Sequence, residues 1–389
     1  MIHQISKQQA RRFLLHRQGL LGQTPFIGKE GIVQFVRKSG CLQFDPIDIC
    51  GKSPELSLFS RVEGFQKNML DQLLYEDRRL IDYFDKNLAI IPTEDWPCFE
   101  RTRNRYRTRV RSEEQIEKVA EKIREELRVK GPLSSNEVEQ KGKVDWYWSK
   151  TSLARAALET LYFRGELIVH HKQGTVKSYD FAEHHLPKRL LQQADPNVTE
   201  EQYHAWGVLR RIGAVGFLWK KASDAWLGLV GFKAAQREAA FRQLDAAGQI
   251  TALEIEGVRD KVYCLSKELP LLEEAKERSC PDMLRFLAPL DCFLWDRKLI
   301  QALFGYSYTW EIYKKPEQRE FGYYVLPILY GEQFVGRIEP VCRRKQGFME
   351  VKGLWWEPDV VVHADLKQAL RSELQRLAEW NQCKWLDTL

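Results

Sequence analysis

No apolar run in the 389-residue chain approaches the ~18–20 residues that a membrane-spanning helix needs, and Met1-Ile2-His3-Gln4 lacks a signal-peptide pattern. Both absences predict a cytosolic protein. The eight cysteines (41, 50, 98, 264, 280, 292, 342 and 383) form no C-x-x-C and no tight group with histidine, which excludes a disulfide frame and a zinc site. They read as reduced, buried thiols. No G-x-G-x-x-G, G-x-x-x-x-G-K-[ST], H-E-x-x-H or G-x-S-x-G occurs, so nucleotide-binding, metalloprotease and serine-hydrolase readings have no support. The pairs His170-His171 and His184-His185 have no third ligand at a recognised spacing, and adjacent residues on a strand point to opposite faces. No metal is expected.

What is present is a globular composition with a mild cationic excess. The length suggests two to four domains, and the net charge of +6 favours an acidic partner such as nucleic acid. Ser6-Lys7-Gln8-Gln9 has the form of a capping box, followed by Ala10, Phe13 and Leu14 at helical spacing up to about Gly19. A second helix carrying Ile32, Val33, Phe35 and Val36 should end at Gly40, suited to the left-handed turn after a helix. Leu70 to Pro92 reads as helical, turning out at Ile90-Ile91-Pro92. Between Arg101 and Arg111 arginine stands at every second position, which on a helix gives two stripes and no single basic face. These six arginines fit phosphate contact or a solvated surface neutralised by Glu113, Glu114 and Glu117.

A repeat follows. Ser112-Glu-Glu-Gln115 is a second capping box, its helix runs to Gly131, and a further capped helix and one from Leu153 to Phe163 lead into Gly165-Glu-Leu-Ile-Val and a hairpin turning at Gln173-Gly174. Three helices and a hairpin are the order of a winged helix. Thr199-Glu-Glu-Gln202 opens the next round, Gly213 parallels Gly131, and Gly248 opens a hairpin turning near Glu256-Gly257. The spacings, 34 positions from Gly131 to Gly165 and 35 from Gly213 to Gly248, agree. By the same logic Gly40-Cys-Leu-Gln-Phe-Asp45 matches Gly165-Glu-Leu-Ile-Val-His170, a last helix entering the first strand of a wing. Residues 1–111, 112–195 and 196–275 would then be three winged-helix units. Phe286 to Pro358 alternates apolar strands with turns and predicts an antiparallel meander or small barrel, closed by a helix from about His363 to Asn381, so residues 280–389 form a fourth, β-rich domain. The class is α+β.

The strand at Gly40–Ile47 carries the most chemistry. Leu42 and Phe44 alternate with Gln43 and Asp45, so one face buries apolar side chains while the other shows an amide and a carboxylate together. Pro46 should end the strand and leave the pair near its terminus. Such a pair can hold and polarise one water; it can equally be the wet side of a half-buried strand.

Leu42-Gln43-Phe44-Asp45-Pro46-Ile47, Gly165-Glu-Leu167, Leu287-Ala-Pro-Leu-Asp-Cys-Phe-Leu-Trp-Asp-Arg297, Leu303-Phe-Gly305, Glu311-Ile-Tyr313, Gly322-Tyr-Tyr-Val-Leu-Pro327 and Val335-Gly-Arg337 together resemble the winged-helix crosslink-repair DNA glycosylases of the YcaQ/AlkZ type. The resemblance implies three tandem winged helices plus a C-terminal β-barrel around duplex DNA, and removal of alkylated bases, crosslinked purines included. It implies that Gln43 and Asp45 are the catalytic Gln-apolar-Asp motif, with no cofactor, no metal and no membrane association, in a monomer. Lys52, Arg61, Lys172, Lys177, Arg297, Arg337, Arg343 and Arg344 are the cations expected against DNA. The chain departs from the pattern twice. Phe84-Asp85-Lys86-Asn87-Leu88-Ala89 stands where many members have Trp-x-His-x-x-Ser, and Cys50-Gly-Lys-Ser-Pro-Glu55 replaces a basic or His-containing stretch.

An N7-alkylated purine carries a positive charge that weakens its glycosidic bond, and its departure leaves an oxocarbenium-like sugar. Asp45 would offset that charge and take a proton from water oriented by Gln43. A lyase step needs an amine nucleophile, which the resemblance does not indicate, so a monofunctional hydrolase is expected. The alternative is a non-catalytic winged-helix DNA-binding regulator, reading sequence through the helices near Leu153 and Phe232–Leu244.

Overall fold

The computed structural model describes residues 3–147 and 149–387. Its first region opens with the helix Lys7–Arg17, capped by the Ser6 hydroxyl accepting from the Gln9 N–H, and the helix Gly28–Ser39, which ends at Gly40 with φ 76°. Leu80–Asp85 and Asn87–Pro92 then form a hairpin with Leu42–Gln43 as a third strand beside its returning arm. The expected helix over 70–92 is therefore limited to its start, where the α-helix Lys67–Asp71 runs into the π-helix Gln72–Glu76. Tyr83, Ile90 and Ile91 prefer the pleated surface, and Asn87 takes the left-handed φ of 60° that a one-residue turn at Lys86 demands.

The second region holds the helices Glu113–Lys130 and Leu153–Phe163 and the hairpin Leu167–Gln173/Val176–Phe181, with Leu133–Ser134 beside the returning strand. Two expected caps are absent. Ser112 lies in the left-handed region and its hydroxyl donates to the Asp145 carbonyl at 2.8 Å, while Ser134 binds Glu137 in a turn where a further helix was expected. The third region has helices Glu200–Val215 and Ala234–Ala246 and the hairpin Ile250–Ile255/Val262–Leu265, with Leu218 bridging Tyr263.

These pairings revise the repeat. Gly40-Cys-Leu42 matches Gly131-Pro-Leu133 and Gly216-Phe-Leu218: in each, a glycine with φ between 76° and 106° ends a helix, and the leucine two residues later pairs with the returning strand of a hairpin. Gly165 occupies a different joint, and Gly213 lies inside its helix. Gln43 thus stands on the edge strand of the first sheet and not on its hairpin.

Leu284–Phe286, Leu326–Tyr330, Gln333–Arg343, Phe348–Trp356 and Lys384–Trp385 form a five-stranded sheet in that order, packed against the helix Ala364–Trp380. Its first four strands form the expected antiparallel meander; the last pairs in parallel, and the first and last strands are two open edges, so the sheet is not paired into a barrel. It is joined to the first region through the 46–52 loop: the Cys342 N–H donates to the Ile49 carbonyl (3.0 Å), and Asn381 Nδ2 to the Cys50 carbonyl (2.9 Å).

Candidate active site

The short edge strand holds Gln43 by pairing with Ala89, and the Phe44 N–H donates to the Leu88 carbonyl at 2.8 Å. The chain then leaves the sheet at Pro46, where a ladder donor is missing. Just beyond, the Ile47 N–H donates to Asp45 Oδ1 at 2.9 Å, an Asx turn that fixes the carboxylate and leaves Oδ2 without a protein donor among the described residues. Burial pushes the Asp45 carboxyl above its ordinary range, partly offset by that bond. The phenols of Tyr313 and Tyr324 both feel the Asp45 charge; Tyr324 is buried, whereas Tyr313 is 83% exposed.

Gln43 is buried, and its Oε1 accepts from Lys86 Nζ at 3.0 Å. An ammonium only donates, so the amide oxygen turns to Lys86 and the Nε2 hydrogens are left for another acceptor. An amide that donates, next to a carboxylate that accepts, can hold a water by its oxygen and one of its protons.

Lys86 occupies the turn between the paired residues Asp85 and Asn87, 5% exposed, with Nζ 5.2 Å from the centre of the Trp295 ring. Burial, reinforced by the Arg211 cation, lowers its ammonium to about 8. The turn is clamped from the third region. Asp85 receives Arg210 Nε at 2.6 Å and Arg211 Nη2 at 2.5 Å, and these guanidiniums outweigh burial to hold its carboxyl at about 2. Gly228 presses on the same turn: a Cβ there would lie 1.8 Å from the Asp85 carbonyl oxygen. The helix expected over 70–92 hides Lys86, which stands on a turn between two strands. Its signal was the departure at 84–89.

The cations expected against DNA fall into different groups. Arg61 is fully buried, with both terminal nitrogens 2.7 Å from Asp291, so it faces the interior and is corrected to a structural residue. Arg337 is likewise buried, donating to Glu357 (2.6 Å) and the Ser307 carbonyl (3.1 Å) between the Tyr306 and Phe321 rings, which makes it structural as well. Lys172 pairs with Asp82, and its Nζ sits 3.9 Å from the centre of the Phe44 ring, supporting the edge strand from below. Lys177 lies half-buried over Tyr162. Lys52 and Arg344 sit beside the 46–52 loop, bound to Glu55 (3.5 Å) and Asp48 (2.6 Å), and exposed Arg343 pairs with Glu350. Arg297 alone of the eight is exposed without a hydrogen bond or ion pair among the described residues, and its charge is felt at Lys86. In the arginine run the helix Glu100–Thr108 turns Arg101 onto the 197–199 carbonyls and Arg103 and Arg107 onto Glu100, which favours the structural reading for these three.

Among the described residues no group of three or more His, Cys, Asp or Glu could hold a metal, and no helix is long and apolar enough to cross a membrane. The chain is thus an α+β protein of hairpin-bearing units, with an amide at the end of one edge strand and a carboxylate just beyond it. Residues 36–380 match the family described as DNA glycosylase AlkZ-like, and the chain belongs to that family of DNA glycosylases. The fold is also that of the solved DNA glycosylase AlkZ from Streptomyces sahachiroi, to which it is similar at a TM-score of 0.63 and 15% identity, over 98% of this chain and 99% of that one.

Proposed function

We propose that the protein is a repair glycosylase that hydrolyses the N-glycosidic bond of alkylated purines in double-stranded DNA, N7-alkylguanine and its interstrand crosslinks included, acting as a monomer. The three hairpin-bearing regions are winged-helix units in this reading. Asp45 takes a proton from water held by the Gln43 amide and offsets the positive charge that grows on the sugar. A cationic leaving base needs no acid, so one carboxylate suffices. The observation that carries the reading is the arrangement of the pair: Asp45 is pinned through one oxygen, and Gln43 is turned by Lys86 so that its donors remain free.

A regulator reading through the helix Leu153–Phe163 is disfavoured by that helix itself, in which nine of eleven residues are buried. The test is release of N7-methylguanine from alkylated duplex DNA by wild type and by Asp45→Asn, with binding to the same duplex recorded alongside. Release by wild type only, with binding intact in both, supports the proposal. Binding without release by either protein, on N7-methylguanine and on a crosslinked duplex, would sink it.

A further inference from the structure

Lys86 is costly as a structural residue. A buried ammonium is normally matched by a carboxylate, yet among the described residues Lys86 has no ion pair; its partners are a neutral amide oxygen 3.0 Å away and an aromatic face. Its charge serves the hydrolysis only indirectly, by turning the Gln43 amide. Both the alkylated purine and the oxocarbenium-like sugar are cationic, and a fixed ammonium beside them opposes each. A neutral amine opposes neither. With its ammonium lowered to about 8, roughly a tenth of Lys86 is neutral at pH 7, a large fraction for a lysine. The amine also has a four-carbon reach and hydrogen-bonds the side chain that orients the attacking water.

We propose that Lys86 is the amine nucleophile of an abasic-site lyase activity that follows base removal at this site. The neutral amine adds to the C1′ aldehyde of the ring-opened abasic sugar, and with one proton taken up, water leaves as the C1′–N iminium forms. The C2′ proton passes to Asp45. The C2′–H electron pair becomes the C2′–C3′ double bond, and the C3′–O pair departs with the phosphate as a 5′-phosphorylated strand. Water then hydrolyses the conjugated iminium, returning the amine and releasing the unsaturated aldehyde on the other strand end. No oxidant or further reactant is consumed. The activity extends the hydrolysis-only expectation and rests on the glycosylase reading for its location in the molecule alone.

The experiment supplies duplex DNA with a ready-made abasic site, so that it does not depend on excision, and adds borohydride to reduce any iminium to a stable amine. Wild type should give a covalent protein–DNA complex whose DNA-bearing peptide contains Lys86, and without borohydride a nicked strand ending in the unsaturated aldehyde. Lys86→Arg keeps a cation and a donor towards Gln43 but cannot form the iminium, so trapping and nicking should fall at least about a hundredfold. Asp45→Asn should still trap but nick far less, because it acts after the iminium. No trapped complex with wild type, a trapped peptide lacking Lys86, or equal trapping by Lys86→Arg would each overturn the inference. Release of N7-methylguanine is scored in parallel: release without trapping removes the lyase and leaves the glycosylase, and trapping without release does the reverse.

Discussion

Arg61 and Asp291 form a two-point ion pair with no solvent access, tying the first helical region to the connection between the first two strands of the C-terminal sheet. Removing one partner strands a buried charge. Arg61→Met should therefore lower unfolding free energy by about 3–5 kcal/mol, read from denaturant midpoints, and combining it with Asp291→Leu should recover much of the loss. A DNA-contact role would instead show as weaker binding at unchanged stability.

Arg297 is the opposite case. Arg297→Ala should leave the unfolding midpoint unchanged and weaken duplex binding, lowering the slope of log affinity against log salt by about 1. Arg337→Ala, which opens a buried pair, should lose stability first. An unchanged salt slope for Arg297→Ala would remove that residue from the interface.

Asp45 must be ionised to act as a base. Burial raises its pKa, so the acid limb of the pH profile for base release should fall above the ordinary carboxylate value of 3.8. Asp45→Asn should reduce release by about 10²–10⁴-fold and erase that limb in whatever activity remains.

Gly228→Ala tests the hairpin clamp. The added methyl would press on the Asp85 carbonyl, and φ at 228 is 89°, a value that alanine resists. The turn should shift and carry Lys86 away from Gln43. Excision should fall several-fold or more while circular dichroism stays that of the wild type; full activity would show that the position of the turn does not matter.

Asp85 links stability to acid. Its folded pKa, about 2, lies below the unfolded value, so its contribution is present above about pH 4 and is lost as pH falls from there towards 2. The shift corresponds to roughly 2 kcal/mol. Asp85→Asn should flatten that part of the stability profile, as measured by urea unfolding between pH 5 and 3.

Much of this was legible in the residues. Ser6 and Thr199 cap the helices their spacing announced, the hairpins at Gln173-Gly174 and Glu256-Gly257 stand where glycine and alternation placed them, and Gln43 does end a strand, with Asp45 two residues beyond it. The misses share a cause: burial that the local pattern does not show. The run Leu80–Pro92 is buried along both arms of its hairpin, Asp82, Asp85 and Lys86 included, so its polar residues do not alternate with apolar ones and periodicity does not tell it from a buried helix. Arg61 looks like any surface cation until Asp291, 230 positions away, is brought against it. Arginine in a sequence advertises charge and conceals whether a carboxylate is waiting.

The strand His3–Ile5 lies in parallel beside Leu253–Ile255, so that Ile5 meets Ile255, 250 positions later, and the third hairpin gains its outer strand from the very start of the chain. During synthesis that strand emerges early and waits while two other regions form. Until it arrives, the hairpin at Ile250–Leu265 has a bare edge, open to pairing with any other extended chain. Assembly of the third region is thus a late, long-loop event that slows folding, and removing His3–Ile5 would leave Ile250–Ile255 as an uncovered, sticky edge.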